Sequence, residues 1–299
     1  MRSFLPRFLA ALATSMVVSC APTPKFPSYA PPNAAPAFQT PTYSDPYAAV
    51  PAPSIFRPNS AAPNIRATSY ILIDANTGRT LAARNADSAR GVASTQKLVT
   101  ALVVSKSGNL DRSLRVESSD TRVEPTKIGL VPGETLSRKN LLYAFLVKSG
   151  NDGANALARD NAGSIPAFAA RMNGMARHCG ASNSHFVNPH GLTAPGQYST
   201  ARDMSKIALM AYRDPVIRDV VKQRYVSFHG RSLKNTNDLL SRMPECNGMK
   251  TGYTNAAGKC LVSSASRYGK AVILVQLGSH LKYIWDDGQA MMNWGLANL

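Results

Sequence analysis

Twelve of the twenty prolines in this 299-residue chain fall between Ala21 and Asn64, with Ala, Ser, Thr and Tyr between them. Proline has no backbone N–H to give to a sheet and clashes with the preceding turn of a helix, so at this density neither structure propagates. The stretch also has too few clustered apolar residues to build a core. Residues 21–64 are therefore expected to form an extended, polyproline-like tether, which confines folding to residues 65–299.

Residues 1–20 read as an export signal. Arg2 and Arg7 make a basic start, and Phe8 to Val18 is an apolar stretch too short to span a bilayer as an ordinary helix. It leads into Val17-Val18-Ser19-Cys20, which looks like a bacterial lipoprotein cleavage box. Cys20 would then be lipid-modified and become the mature N-terminus; an ordinary signal cut nearby is the alternative. A lipid anchor followed by a stiff spacer would hold a folded domain away from a membrane, on the periplasmic side of the envelope. The net charge is +17, yet the basic residues are scattered and form no stripe. That pattern, together with export, argues against nucleic acid as a partner and is compatible with anionic envelope polymers or lipid head groups. Cys179, Cys246 and Cys260 match no metal-binding spacing, and no metal or organic cofactor is indicated. In an oxidising compartment Cys246 and Cys260 are the pair that could meet.

From Thr68 the pattern becomes that of a folded domain. Residues 69–74 read as a strand, Asn76-Thr77-Gly78-Arg79 as a turn, and 80–85 as the hairpin partner. A helix is expected to start near Ser94, an irregular excursion to run from Leu114 to Leu136, and helices to cover 138–147, 154–162 and 165–178. A polar loop, 183–192, precedes a helix over 201–212 capped by Ser199 or Thr200. Residues 226–228, 259–265 and 271–277 read as strands, the last buried on both faces, and 282–296 as a final amphipathic helix. Strands at both ends and helices between them imply one α/β domain whose sheet is assembled from the two termini.

Three short motifs interrupt this pattern: Ser94-x-x-Lys97, Ser149-Gly150-Asn151 and Lys250-Thr251-Gly252. At i and i+3 of a helix, Ser94 and Lys97 would be surface neighbours, a hydroxyl beside an amine where backbone N–H groups are unpaired. That is a plausible activated nucleophile, and it is equally a helix cap beside a solvated charge. The break at Ser149-Gly150-Asn151 would present polar side chains into a cleft.

Taken in order, the three motifs resemble those of penicillin-binding proteins and serine β-lactamases. The chain is similar to the low-molecular-mass D-alanyl-D-alanine carboxypeptidases of bacterial envelopes. The likeness extends over 141–161, 184–192, 198–203 and 249–266, and covers essentially all of 65–299. It implies a penicillin-recognition (β-lactamase/transpeptidase-like) fold: an antiparallel sheet built from both termini, with helices on both faces and a helical insertion. It also implies acyl transfer on peptidoglycan stem peptides. Ser94 would attack the D-Ala-D-Ala peptide bond, Lys97 would take its proton, and Ser149 would relay a proton to the leaving nitrogen. Asn151 would orient Lys97 or bind substrate amides. Lys250 and Thr251 would recognise the terminal carboxylate, and Gly252 would let the substrate backbone approach closely. Tyr253 would supply an oxyanion-hole N–H together with Ser94. β-Lactam antibiotics would acylate the same serine. His185 and His190 belong to a structural loop under this resemblance, and Arg202 could face the site or anchor a helix. Many relatives carry a second, β-rich domain and a C-terminal amphipathic helix; here the N-terminal lipid would replace that attachment. The same fold also serves D,D-endopeptidases, β-lactamases and envelope proteins without activity. No Glu-containing loop that would activate a deacylating water for a β-lactamase is evident.

Overall fold

The computed structural model describes residues 56–299. Residues 1–20, with the proposed lipidation site Cys20, and residues 21–55 of the proline-rich stretch lie outside the described residues.

Strand β1 (Ser69–Asp74) turns back into β2 (Thr80–Arg84), and a 3-10 turn (Ala93–Gln96) leads into α1 (Lys97–Lys106). A short ribbon pairs β3 (Ser113–Arg115) with β4 (Thr135–Ser137) around the one-turn helix α2 (Ser118–Thr121). Then come α3 (Arg138–Lys148), α4 (Asn151–Ala162), α5 (Ile165–His178), α6 (Ala201–Arg213) and α7 (Pro215–Val221). A second ribbon, β5 (Tyr225–Phe228) with β6 (Arg231–Lys234), precedes α8 (Leu239–Arg242). The chain returns to the main sheet as β7 (Cys246–Thr254), β8 (Gly258–Arg267) and β9 (Lys270–Ser279), and finishes in α9 (Ile284–Asn298).

The main sheet has the order β2-β1-β9-β8-β7, with every neighbour antiparallel. Its centre is the pairing of β1 with β9, in register from Ser69 opposite Leu277 to Asp74 opposite Val272. Side chains alternate across a strand. Ile71, Ile73, Ile273 and Val275 therefore enter the larger core under α1, α3, α4, α5 and α6, while Tyr70, Leu72, Val272 and Leu274 enter a smaller core with Met291, Met292 and Leu296 of α9. Helices on both faces explain why β1 and β9 read as unbroken apolar runs although their neighbours are antiparallel.

Caps set several helix starts. Ser137 accepts from Asn140 N, Ser164 from Ala167 N and Thr200 from Asp203 N, each three residues on, so Thr200 is the cap of α6. Two expectations need correction. The α-helix begins at Lys97, not near Ser94, because Ser94 is held in the 3-10 turn. Residues 56–64 are not tether: Phe56 stands edge-on to Trp294 at 6.1 Å, Trp294 Nε1 donates to Ser60 O (3.0 Å) and Asn59 N donates to Asn298 Oδ1 (2.7 Å). With Asn298 Nδ2 donating to Ser60 Oγ (3.4 Å), a single aromatic anchor and three hydrogen bonds to α9 hold a segment whose composition reads as coil. Cys246 and Cys260 are both free; the β7–β8 register sets Cys246 opposite Ala265 and Cys260 opposite Gly252, too far apart along the ladder to bond. Among the described residues no helix is long and apolar enough to cross a membrane.

Candidate active site

The three sequence motifs meet at one cleft of about 330 Å3, lined by Ser94, Ser149, Thr236, Thr251, Gly252 and Tyr253 among others. Its floor is the 3-10 turn, one wall is the α3–α4 junction, and the other is β7, an edge strand of the sheet.

Ser94 is half-buried and Lys97 fully buried at the first position of α1. Lys97 Nζ lies 2.8 Å from Ser94 Oγ, 2.7 Å from Asn151 Oδ1 and 2.6 Å from His190 O. Burial holds the Lys97 amine well below the ordinary lysine value, and the positive charge of Lys250 pushes it in the same direction; the carboxylate of Asp152 opposes both. A neutral amine has two N–H groups and one lone pair. Asn151 Oδ1 and His190 O are carbonyl oxygens that only accept, so they take the two N–H groups and leave the lone pair for the Ser94 hydroxyl. The geometry thus sets a base against a nucleophile.

The helical wall is locked around this pair. Helix α3 ends with Ser149 in the left-handed region (φ 66°), Gly150 follows, and α4 begins at Asn151. Asn151 Nδ2 donates to Glu124 O (3.3 Å) and its backbone N donates to Thr126 O (2.7 Å). Both ends of the Asn151 amide are therefore engaged within the protein. The buried Asp152 carboxylate accepts from the backbone N–H groups of Ile128, Gly129, Leu130 and Gly153 at 2.9–3.2 Å, pinning the 124–130 loop along the cleft. Among the described residues no hydrogen bond engages the Ser149 hydroxyl, which faces the cleft.

On the strand wall, Lys250 is fully buried and burial lowers its amine to about 7. Its Nζ donates to Thr251 O (2.9 Å), and Thr251 Oγ1 donates to Thr236 Oγ1 (2.7 Å). A Cβ added at Gly252 would lie 2.6 Å from Ser94 N and 3.0 Å from Thr95 N. The close neighbour that demands glycine here is thus the nucleophile's own turn. Tyr253 is half-exposed, its hydroxyl donating to Asn255 Oδ1 (2.8 Å).

Some contributors were hidden in the sequence. His190 acts through its backbone carbonyl, which receives Lys97 Nζ and stands 3.2 Å from Ser94 Oγ. Its ring is kept neutral, pushed by burial and by Lys97 to about 3, and its Nδ1 only accepts from Leu192 N. The next residue, Gly191 (φ 90°), could carry no side chain, since a Cβ would sit 2.2 Å from Ala93 O. Gln96 reaches the same loop, donating to Asn188 O (2.6 Å). His185 lies outside the cleft, bonded to Gly196 O. Arg202 is also outside it, paired with Asp87 at 2.7 and 3.0 Å, and anchors the first turn of α6.

With this geometry in hand, comparison with known proteins decides the family. Residues 57–280 match the sequence model of the D-alanyl-D-alanine carboxypeptidases, the S11 peptidases. The chain belongs to this family. A D-alanyl-D-alanine carboxypeptidase of Mycobacterium tuberculosis is 34% identical over 245 residues, 79% of this chain and 84% of that one. The chain spans 65% and 61% of two Escherichia coli relatives with the same activity name, which are 34% and 36% identical. Among solved structures, a D-alanyl-D-alanine carboxypeptidase of M. tuberculosis superposes with a TM-score of 0.76 at 33% identity, covering 81% of this chain and 96% of that one. A Streptomyces DD-transpeptidase gives 0.75 at 32% identity, covering 79% and 99%. The family is one of serine peptidases of the bacterial cell wall, and its fold is the penicillin-binding fold that the motif order implied.

Proposed function

We propose that this protein is a serine D-alanyl-D-alanine carboxypeptidase that removes the terminal D-alanine of peptidoglycan stem pentapeptides through an acyl-enzyme on Ser94. The observation that carries this reading is the buried Lys97 amine, 2.8 Å from Ser94 Oγ, with two carbonyl acceptors for its N–H groups.

Ser94 Oγ attacks the carbonyl carbon of the D-Ala-D-Ala bond, and its proton passes to the lone pair of Lys97 Nζ. The oxyanion takes hydrogen bonds from the backbone N–H groups of Ser94 and Tyr253. The Ser149 hydroxyl relays a proton to the departing amine nitrogen, the C–N bond breaks, and D-alanine leaves. Water then hydrolyses the ester and restores Ser94. Lys250 and the Thr251 hydroxyl receive the terminal carboxylate, a cation with a hydroxyl donor. Asn151 holds Lys97, and Gly252 keeps β7 close to the nucleophile. A penicillin enters by the same route; its carbonyl is attacked in the same way, but the leaving nitrogen stays tethered in the opened ring. Residues 1–20 direct export, Cys20 carries lipid, and the proline-rich segment holds the domain on the periplasmic side of the envelope.

Incubation of the purified domain with a pentapeptide and with cross-linked muropeptides tests the activity. Free D-alanine from the pentapeptide without cross-link cleavage is expected; cleavage of cross-links alone would instead make the enzyme an endopeptidase. For the anchor, Cys20→Ser should move from the detergent phase to the aqueous phase on partition. Retention in the detergent phase would rule out the lipid.

A further inference from the structure

The cleft holds more positive charge than one terminal carboxylate calls for. Lys148 and Lys259 line it, with Lys250 buried next to Thr251 in β7, and among the described residues neither Lys148 nor Lys259 has an ion-pair or hydrogen-bond partner. No aspartate or glutamate lines the cleft. The acids adjoining its lining residues in sequence are spent elsewhere: Glu124 on Lys127 and Asp286 on Arg242.

Lys259 is the better placed of the two. It faces Tyr253 directly in the β7–β8 register, and its Nζ stands 4.5 Å from the centroid of the Tyr253 ring. That ring is itself held by the bond to Asn255, so the ammonium is parked by a cation–π contact. β7 is the free edge of the sheet, and an extended peptide docks on such an edge by pairing with it. Under the proposed function the terminal carboxylate lies at Lys250-Thr251 and the scissile carbonyl at Ser94. A peptide in that pose runs antiparallel to β7, so the residues before the scissile bond pass Tyr253 and Lys259. The indole of Trp285, which also lines the cleft, gives the intervening methylenes an apolar surface.

We infer that Lys259 reads a free side-chain carboxylate on the stem-peptide residue that immediately precedes the D-alanyl-D-alanine pair. This rests on the carboxypeptidase reading and adds to it the substrate class: stems whose third residue carries that carboxylate, over the carboxamide or a simple lysine. The contact is remote from the scissile bond, so its effect falls on KM and leaves the ratio of kcat values near one.

The test compares two synthetic pentapeptides that differ only in a carboxylate or a carboxamide at the third side chain, with D-alanine release as readout. The native protein should favour the carboxylate in kcat/KM by about threefold to tenfold, the range of a partly exposed charge pair, and the preference should shrink with added salt. Lys259→Gln should bring the ratio to about one, Lys259→Arg should keep it, and Lys148→Gln, which removes the same charge from the other wall, should also keep it. The ratio is internal to each protein, so partial misfolding of a variant cancels. An unchanged ratio in Lys259→Gln, or equal loss in Lys148→Gln, overturns the assignment while D-alanine release still upholds the activity. No D-alanine from either peptide overturns the activity and this inference with it.

Discussion

On the floor and helical wall of the cleft the Lys97 amine and its supports are engaged before any ligand arrives, only the Ser149 hydroxyl staying free among the described residues, whereas the strand wall keeps an unpaired edge. Lys97 meets Ser94, Asn151 and His190, and Asp152 is saturated by backbone N–H groups. Across the cleft, Lys250 has one carbonyl partner, β7 has a neighbour on one side only, and the Tyr253 ring is 54% exposed. The difference separates two tasks. Proton transfer profits from groups fixed in advance, which need no rearrangement as charge develops. Recognition of an extended peptide profits from an edge whose hydrogen bonds are still unmade.

The largest effect expected of any single change is on the locked wall. Ser94→Ala should abolish covalent labelling by a fluorescent penicillin, a loss of about 10⁴-fold or more. Labelling of the variant at the native level would break the proposed chemistry. In the native protein the labelling rate should fall as pH drops and the lysine pair takes up a proton; His190 stays neutral down to about 3 and does not contribute to that limb. The apparent midpoint belongs to Lys97 and Lys250 together.

The open wall makes a prediction of opposite sign. Lys250 takes its proton near 10.5 when unfolded and near 7 when folded, so between these values the unfolded chain binds a proton that the folded one does not. Its contribution to stability therefore falls as pH drops from about 10.5 to about 7 and is level below that. The difference corresponds to roughly 5 kcal/mol at most. Lys250→Met should thus melt at a higher temperature than the native protein at pH 7, with the gain shrinking toward pH 10 while penicillin labelling drops. A gain that does not vary with pH would refute the lowering of the Lys250 amine by burial.

Smaller effects sharpen the contrast. Asp152→Ala leaves the N–H groups of the 124–130 loop without their acceptor and should destabilise the fold by about 2–4 kcal/mol in denaturant titration. Thr251→Val removes one hydroxyl that faces the substrate and should leave the melting temperature within about 1 °C while lowering kcat/KM for a pentapeptide about tenfold. Equal loss of stability in both variants would erase the distinction between the walls.

That Ser94, Lys97, Ser149 and Lys250 gather around one cleft was legible because they announce themselves by residue type and spacing. What was not legible acts through the backbone. His190 supplies a carbonyl, which every residue has, and the only sequence trace of it is Gly191, where nothing larger fits against Ala93. Asp152 was overshadowed by its neighbour Asn151, although it organises an entire loop. Strand β9 followed from its unbroken apolar run and β1 and β8 from shorter apolar stretches, while the 3-10 turn at Ser94 has β7 pressing Gly252 against it, a contact across the whole sequence. Phe56 was lost among prolines because local composition describes the tendency of a segment and not the surface it lands on.

The pairing of β1 with β9 at the sheet centre has a consequence for how the molecule comes into being. Loop closure over so long a chain is slow, and contacts of this range must wait for both partners. Beyond its hairpin with β2, the first strand has no sheet partner until the last one has been made. During synthesis most of the chain is held back from completing its fold by its own topology. The same dependence makes the site all-or-none. A fragment cut before Lys270 would still carry Ser94, Lys97, Ser149 and Lys250, but it would lack the strand that joins the two ends of the chain and sets those four residues around one cleft.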